Sequence, residues 1–159
     1  MATPNLPNVR LPAAPRHGTW QGRNGMSQPP ANSNSPGEDS QPLVFIVDDE
    51  PMLLELMVLV LEPLGFRVRT FLDPGTAIRA FSLTTPLPVL VVTDYAMHTM
   101  TGLDLIQACR QINPRQKIIL VSGTVDETIY RHAGHKPDGF LAKPYQARQL
   151  ADLVRAILA

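Results

Sequence analysis

The chain is poor in the residues that mark secreted, zinc-binding or nucleic-acid-binding proteins. Its single cysteine, Cys109, excludes an internal disulfide, and no partner cysteine or histidine stands at zinc-ligand spacing around it. Cys109 therefore reads as a small, core-facing helix residue. Basic and acidic side chains balance to a formal charge of zero. No block of Lys or Arg offsets that balance, which removes the electrostatic footprint that direct nucleic-acid binding needs. The N-terminus carries no apolar run resembling a signal peptide, and the longest hydrophobic stretch, Met52 to Leu61, is too short to span a bilayer. A soluble, cytoplasmic protein with no membrane contact is expected.

What is present suits one domain. A chain of 159 residues with 44% hydrophobic content can bury one proper core but is too short for two domains of ordinary size. Residues 1–42 hold half of the sixteen prolines together with scattered Asn, Ser and Gly, and lack helical or strand periodicity, so they read as a disordered tail. Trp20 could anchor that tail on a partner, and Met26 is a candidate translation start. The folded domain is expected over 43–159, with no output domain of its own.

From Leu43 the texture changes to short apolar runs separated by amphipathic segments, the alternation of a parallel sheet wrapped by helices. Strands are expected at Leu43–Val47, Phe66–Thr70, Val89–Thr93, Lys117–Val121 and Gly139–Ala142. Four of them are rich in Val, Ile, Leu or Phe, as strands covered on both faces require. Helices are expected at Pro51–Leu64, Pro74–Phe81, Leu103–Ile112, Asp126–Ala133 and Gln146–Leu158. Gly65 is a C-terminal stop for the first, and Pro63 bends or ends its last turn. In the last, Leu150, Leu153, Val154, Ile157 and Leu158 share one face. The pattern is (βα)₅.

Open parallel α/β sheets bind ligands outside the carboxyl ends of their strands. There the first strand delivers Asp48 and Asp49, the third Asp94, the fourth Ser122 and the fifth Lys143 followed by Pro144. Right-handed crossovers bring these ends together. Clustered carboxylates repel one another, and an all-oxygen set without His or Cys favours a hard divalent cation, Mg²⁺ before others. An aspartate beside such an ion can act as a nucleophile toward phosphorus, with a lysine sharing the charge of the product. Asp94 and Lys143 fit those roles.

Over residues 43–159 the chain resembles the response-regulator receiver family of two-component signal transduction, including the chemotaxis-regulator-like members. Val-Asp-Asp-Glu at 47–50, Thr-Asp-Tyr-Ala-Met at 93–97, Met-Thr-Gly at 100–102, Val-Ser-Gly at 121–123 and Lys-Pro at 143–144 carry the resemblance. It implies a flavodoxin-like, doubly wound three-layer sandwich with a five-stranded parallel sheet in the order 2-1-3-4-5. It implies that Asp94 is the phosphoacceptor and that Asp48, Asp49, Asp94 and the backbone carbonyl of Ala96 hold Mg²⁺. Ser122 and Lys143 would bind phosphoryl oxygens, Phe140 would be the aromatic switch position, and Pro144 would be a cis-proline aiming Lys143. The implied partners are a sensor histidine kinase or histidine phosphotransfer protein as donor and an unknown downstream protein. The reporting surface would be the last two helical stretches with the strand between them. Such a switch is not an enzyme beyond its own phosphorylation and dephosphorylation.

The sequence also departs from the family. His98 stands where the family commonly has proline, and Phe140 lacks a hydroxyl. Singly, Ser122 would be read as a loop residue and Lys143 as an exposed charge; the aspartates promote them. His98, His132 and His135 read as exposed histidines rather than as relay or metal ligands. The first helix is apolar from Met52 to Leu61 except at Glu55, so its outward side either packs as core or exposes a docking face. Two rival functions remain. A phosphorylation-independent pseudo-receiver need not keep Asp49, Asp94, Ser122 and Lys143 together. An aspartyl-nucleophile phosphatase of the haloacid-dehalogenase class needs a second acid two residues after the nucleophile, where this chain has Ala96.

Overall fold

The computed structural model describes residues 40–124, 128 and 134–159. Five strands, β1 (Leu43–Val47), β2 (Arg67–Phe71), β3 (Leu90–Asp94), β4 (Ile118–Ser122) and β5 (Gly139–Ala142), form one parallel sheet in the order β2-β1-β3-β4-β5. The expected fold class and strand order are both observed. Four helices lie among the described residues: α1 (Pro51–Leu61), α2 (Pro74–Leu83), α3 (Gly102–Ile112) and α4 (Ala147–Leu158). The helix expected at Asp126–Ala133 lies, Thr128 apart, outside the described residues, as does the expected tail over 1–39.

Alternation along the strands sorts the core into two layers. Leu43, Phe45 and Val47 of β1 face Phe81 of α2 and Leu105, Ile106 and Cys109 of α3. Val44 and Ile46 face Leu54, Met57 and Leu61 of α1 and Leu150 and Val154 of α4. All five residues of β1, β3 and β4 are buried, as a sheet covered on both faces demands. The two edge strands are the exceptions, β2 with Arg69 and Thr70 exposed and β5 with Ala142 exposed. On β2 the Arg69 guanidinium lies 5.1 Å from the Phe45 ring centroid and 5.5 Å from that of Phe71, covering aromatic edge with a charged side chain.

The first helix starts on Pro51, whose missing N–H is harmless there. It loses α geometry at Leu61, because Pro63 withholds a donor, and a 3₁₀ turn over Glu62–Leu64 leads into Gly65 at φ 89°. Burial of Cys109 in the α3 layer pushes its thiol up to about 12, so it is an inert packing residue. No helix of the described residues is long and apolar enough to cross a membrane.

Candidate functional site

Strand β1 ends at the rim, and its next residue, Asp48, is pinned at both ends. Its N–H donates to the Phe71 carbonyl at 3.1 Å, and its Oδ1 accepts from the Glu50 N–H at 2.9 Å. Asp48 is fully buried. Neighbouring β3 carries Asp94 as its last residue, where Oδ2 accepts from the Ala96 N–H at 2.7 Å. The two buried carboxylates share one cation. Lys143 Nζ lies 2.7 Å from Asp94 Oδ1, 3.1 Å from Asp48 Oδ2 and 4.0 Å from Glu50 Oε1.

Lys143 reaches that point because its own N–H donates to the Ser122 carbonyl at 2.7 Å, extending the β4–β5 ladder one residue beyond the strands. The following Lys143–Pro144 peptide is cis. Burial raises the Asp48 carboxyl above the usual carboxylate range, although the Glu50 N–H and Lys143 pull the other way. Burial alone would lower the Lys143 ammonium, but its bonds to Asp94 and Asp48 outweigh this and hold it above the ordinary value. One lysine thus serves two acids removed from water.

The segment between β3 and α3 frames the site from the side. An isolated antiparallel bridge joins Ala96 to Thr101, and the Gly102 N–H donates to the Tyr95 carbonyl at 2.9 Å. Gly102 is required by this close approach: a Cβ there would meet the Asp94 carbonyl oxygen at 2.4 Å and Leu120 Cδ1 at 2.6 Å. The Thr-Gly pair is therefore a packing device that sets α3 against the end of β3. Thr101 caps α3 in a capping box with Asp104, whose carboxyl is held low by the Thr101 hydroxyl and N–H.

At the tip of this loop His98 differs from its expected role as a merely exposed residue. Its side chain is 92% exposed, yet Nδ1 lies 2.5 Å from Asp49 Oδ2. A carboxylate only accepts, so the imidazole N–H donates. Asp49 therefore sits beside Asp48 but is held by the loop rather than by Lys143. Ser122 ends β4, is buried, and its Oγ accepts from the Thr124 N–H at 3.2 Å. Phe140 lies within β5, half-buried against the α2–α3 layer. His135 is exposed before β5, and His132 lies outside the described residues.

Residues 48, 94 and 143 are thus brought into direct contact, with Ser122 at the adjoining strand end. Sequence reasoning missed Glu50, within ion-pair distance of Lys143, and Tyr145, whose buried hydroxyl has no hydrogen-bond partner among the described residues. Burial raises the Tyr145 phenol, which also feels the charges of Lys143, Asp48 and Asp94. Tyr145 follows Lys-Pro directly, and that position was the available signal. The donors Asp48, Asp49, Asp94 and the Ala96 carbonyl are all oxygen, the chemistry of a hard divalent ion. Among the described residues no three His, Cys, Asp or Glu side chains form a ready-made metal cage. Mg²⁺ takes one or two carboxylates and keeps several waters, so the open acidic rim fits it in kind.

Comparison with known proteins agrees with this geometry. The chain is 32% identical over 123 residues to the probable transcriptional regulatory protein TcrX of Mycobacterium tuberculosis, covering 76% of this chain and 51% of that protein. It is 31% identical over 124 residues to the alkaline phosphatase synthesis transcriptional regulatory protein SphR of Synechococcus elongatus, covering 72% and 48%. The chain thus spans about half the length of these curated relatives. Among solved structures, a response regulator receiver protein from Sinorhizobium medicae superposes with a TM-score of 0.67 at 26% identity, covering 75% of this chain and 95% of that one. A CheY-like receiver domain protein from Methanospirillum hungatei superposes equally well, at 0.67 and 24% identity over 75% and 94%, which bears on fold. The response regulator receiver domain family matches residues 44–155, and the chain belongs to that family.

Proposed function

We propose that the domain over 43–159 is a phosphorylation-controlled switch of a two-component phosphorelay, accepting a phosphoryl group on Asp94. The observation that carries this reading is the Asp94 carboxylate at the end of β3, nearly buried and 2.7 Å from Lys143 Nζ. An oxygen of Asp94 would attack the phosphorus of a phosphohistidine. The P–O bond forms as the P–N bond breaks, and the product is an acyl phosphate. Asp48, Asp49, Asp94 and the Ala96 carbonyl would hold Mg²⁺, which when bound neutralises charge on the phosphoryl group.

The chain's other residues have separable tasks. Lys143 pairs with a phosphoryl oxygen in place of a carboxylate, and the Ser122 hydroxyl donates to another, so phosphorylation draws the ends of β4 and β5 inward. Phe140 answers by changing rotamer. The resulting change is presented to a downstream protein by β5 and α4. Leu59, exposed on α1, lines an apolar groove of about 540 Å³ with Leu54, Val58, Thr70 and Leu72, and Met52 and Leu56 are exposed on the same helix. This supports a docking face for the histidine donor, a kinase or phosphotransfer protein. Nothing in these roles turns over an external substrate. Ala96 stands where an aspartyl phosphatase keeps its second acid, which disfavours that reading. The retention of Asp48, Asp94 and Lys143 in mutual contact disfavours a phosphorylation-independent module.

Incubation of the full chain with a small acyl-phosphate or phosphoramidate donor tests the reading. Wild type should be labelled with Mg²⁺ and not with chelator, and Asp94→Asn should lose labelling while keeping its circular dichroism spectrum. Undiminished labelling of a folded Asp94→Asn protein would remove the nucleophile assignment.

A further inference from the structure

Three acids crowd the strand-end rim, and the protein's own side chains already hold each of them. Lys143 engages Asp48 at 3.1 Å and Asp94 at 2.7 Å. Asp49 is different. Among the described residues its side chain is held by His98, a residue from the β3–α3 loop, at 2.5 Å. That loop is not a floppy tether: the Ala96–Thr101 bridge closes it, the Gly102 N–H bonds Tyr95 at its base, and the capping box ties Thr101 to α3. The backbone thus delivers His98 to Asp49 at little further conformational cost. The contact consumes an Asp49 oxygen lone pair and places an imidazole ring over the solvent side of a carboxylate proposed as a metal ligand.

We propose that His98 is an intramolecular latch on Asp49 that must open before a divalent cation is held, so that this histidine weakens cation binding and couples it to a movement of the β3–α3 loop. The inference rests on the metal reading of the site given above. Imidazole N–H and a cation compete for the same carboxylate oxygen. Because the His98 side chain is exposed, the contact is a solvated one of modest strength. Its loss should therefore improve affinity about two- to five-fold, the range that exposed pairs convert to. Opening also releases the ring from Asp49, so His98 reports cation occupancy from outside the ligand set.

The test is Mg²⁺ titration of the full chain, without phosphodonor, by isothermal calorimetry at one fixed pH and ionic strength. The ring protons of His98 are followed by NMR in parallel. His98→Ala should bind Mg²⁺ about two- to five-fold more tightly than wild type. In wild type the His98 resonances should shift along the same saturation curve, while those of exposed His135 stay in place. Asp49→Asn should bind far more weakly whether or not His98 is present. Equal or weaker binding by folded His98→Ala, with wild type still binding, would overturn the latch and leave the metal reading intact. Failure of both folded proteins to bind Mg²⁺ at millimolar concentration would overturn the metal reading and the latch with it.

Discussion

Two charge clusters lie at different ends of the same strands, and they are built in opposite ways. Where β4 begins, one acid is surrounded by donors: the Asp138 carboxylate accepts from Arg110 Nη2 at 2.8 Å, Lys117 Nζ at 3.2 Å and the Ile118 N–H at 2.9 Å. Where the strands end, buried Asp48 and Asp94 share Lys143, and Asp49 depends on a loop histidine. The first cluster gives its one acid three donors and ties α3, β4 and the segment before β5 together. The second holds more acid than base, in a place with less water. A structural ion cluster satisfies its charges internally, whereas an under-compensated buried one favours a bound cation and a lysine free to change partners.

The largest effect that separates the clusters should come from Lys143→Ala. It strands two buried carboxylates and is expected to cost about 3–5 kcal/mol, as removal of one partner from a buried pair does. Millimolar Mg²⁺ should restore much of that loss, because a ligand bound only by the folded state stabilises it. Chemical denaturation with and without Mg²⁺ measures both, and a Lys143→Ala protein indifferent to Mg²⁺ would erase the distinction. Asp138→Ala should be milder, about 1–3 kcal/mol, since it leaves Arg110 and the Ile118 N–H short of an acceptor at a half-exposed site. Its loss should not be preferentially rescued by Mg²⁺, and phosphodonor labelling should persist.

The smallest effect is expected at the α3 cap, where both partners are exposed. Asp104→Ala should cost about 0.5–1 kcal/mol, in the range of lost helix caps. The Asp104 carboxyl is held below its usual value, so the folded state binds its proton less readily than the unfolded chain. Its contribution is therefore present above about pH 3.8 and disappears as pH falls through the lowered folded value. Denaturation curves of wild type and Asp104→Ala should converge below that range. A gap that persists at the most acidic pH would mean the cap does not act through the carboxylate.

Much of this was legible in residue pattern. The bounds of β1 and β5 match expectation, because each apolar run is bracketed by polar residues, although the Asp48 and Lys143 N–H groups each add one further ladder bond. The other three strands begin and end one residue later than expected. Asp94 and Ser122 look like loop residues but remain in the ladder, paired with Val121 and Ala142. Polarity at a strand end marks the site and does not end the backbone hydrogen bonding. Likewise α3 starts at Gly102 because Thr101 caps it, and α4 starts at Ala147 after Gln146, whose N–H donates to Gln149 Oε1 at 2.7 Å.

Other features were hidden because they depend on distance across the fold. The expectation that the outer side of the first helix could expose apolar residues holds, with Met52 at 82% and Leu59 at 71% exposure. Which residue meets Asp49 was not readable. His98 is an ordinary loop histidine until the Ala96–Thr101 bridge turns its loop back over the first strand's end. The Asp138 cluster was missed for the same reason, since Arg110, Lys117 and Asp138 belong to three segments and look like surface charges one at a time.

The most direct measurement is to map the phosphorylated residue itself. Full-length protein labelled by a small phosphodonor in Mg²⁺ would be reduced with borohydride, which converts an aspartyl phosphate to homoserine, and sequenced by mass spectrometry. Homoserine at position 94 alone, and none in chelator, is the predicted result. Homoserine at 48 or 49, or a phosphate that resists hydride and maps to His98 or Ser122, would contradict the assignment.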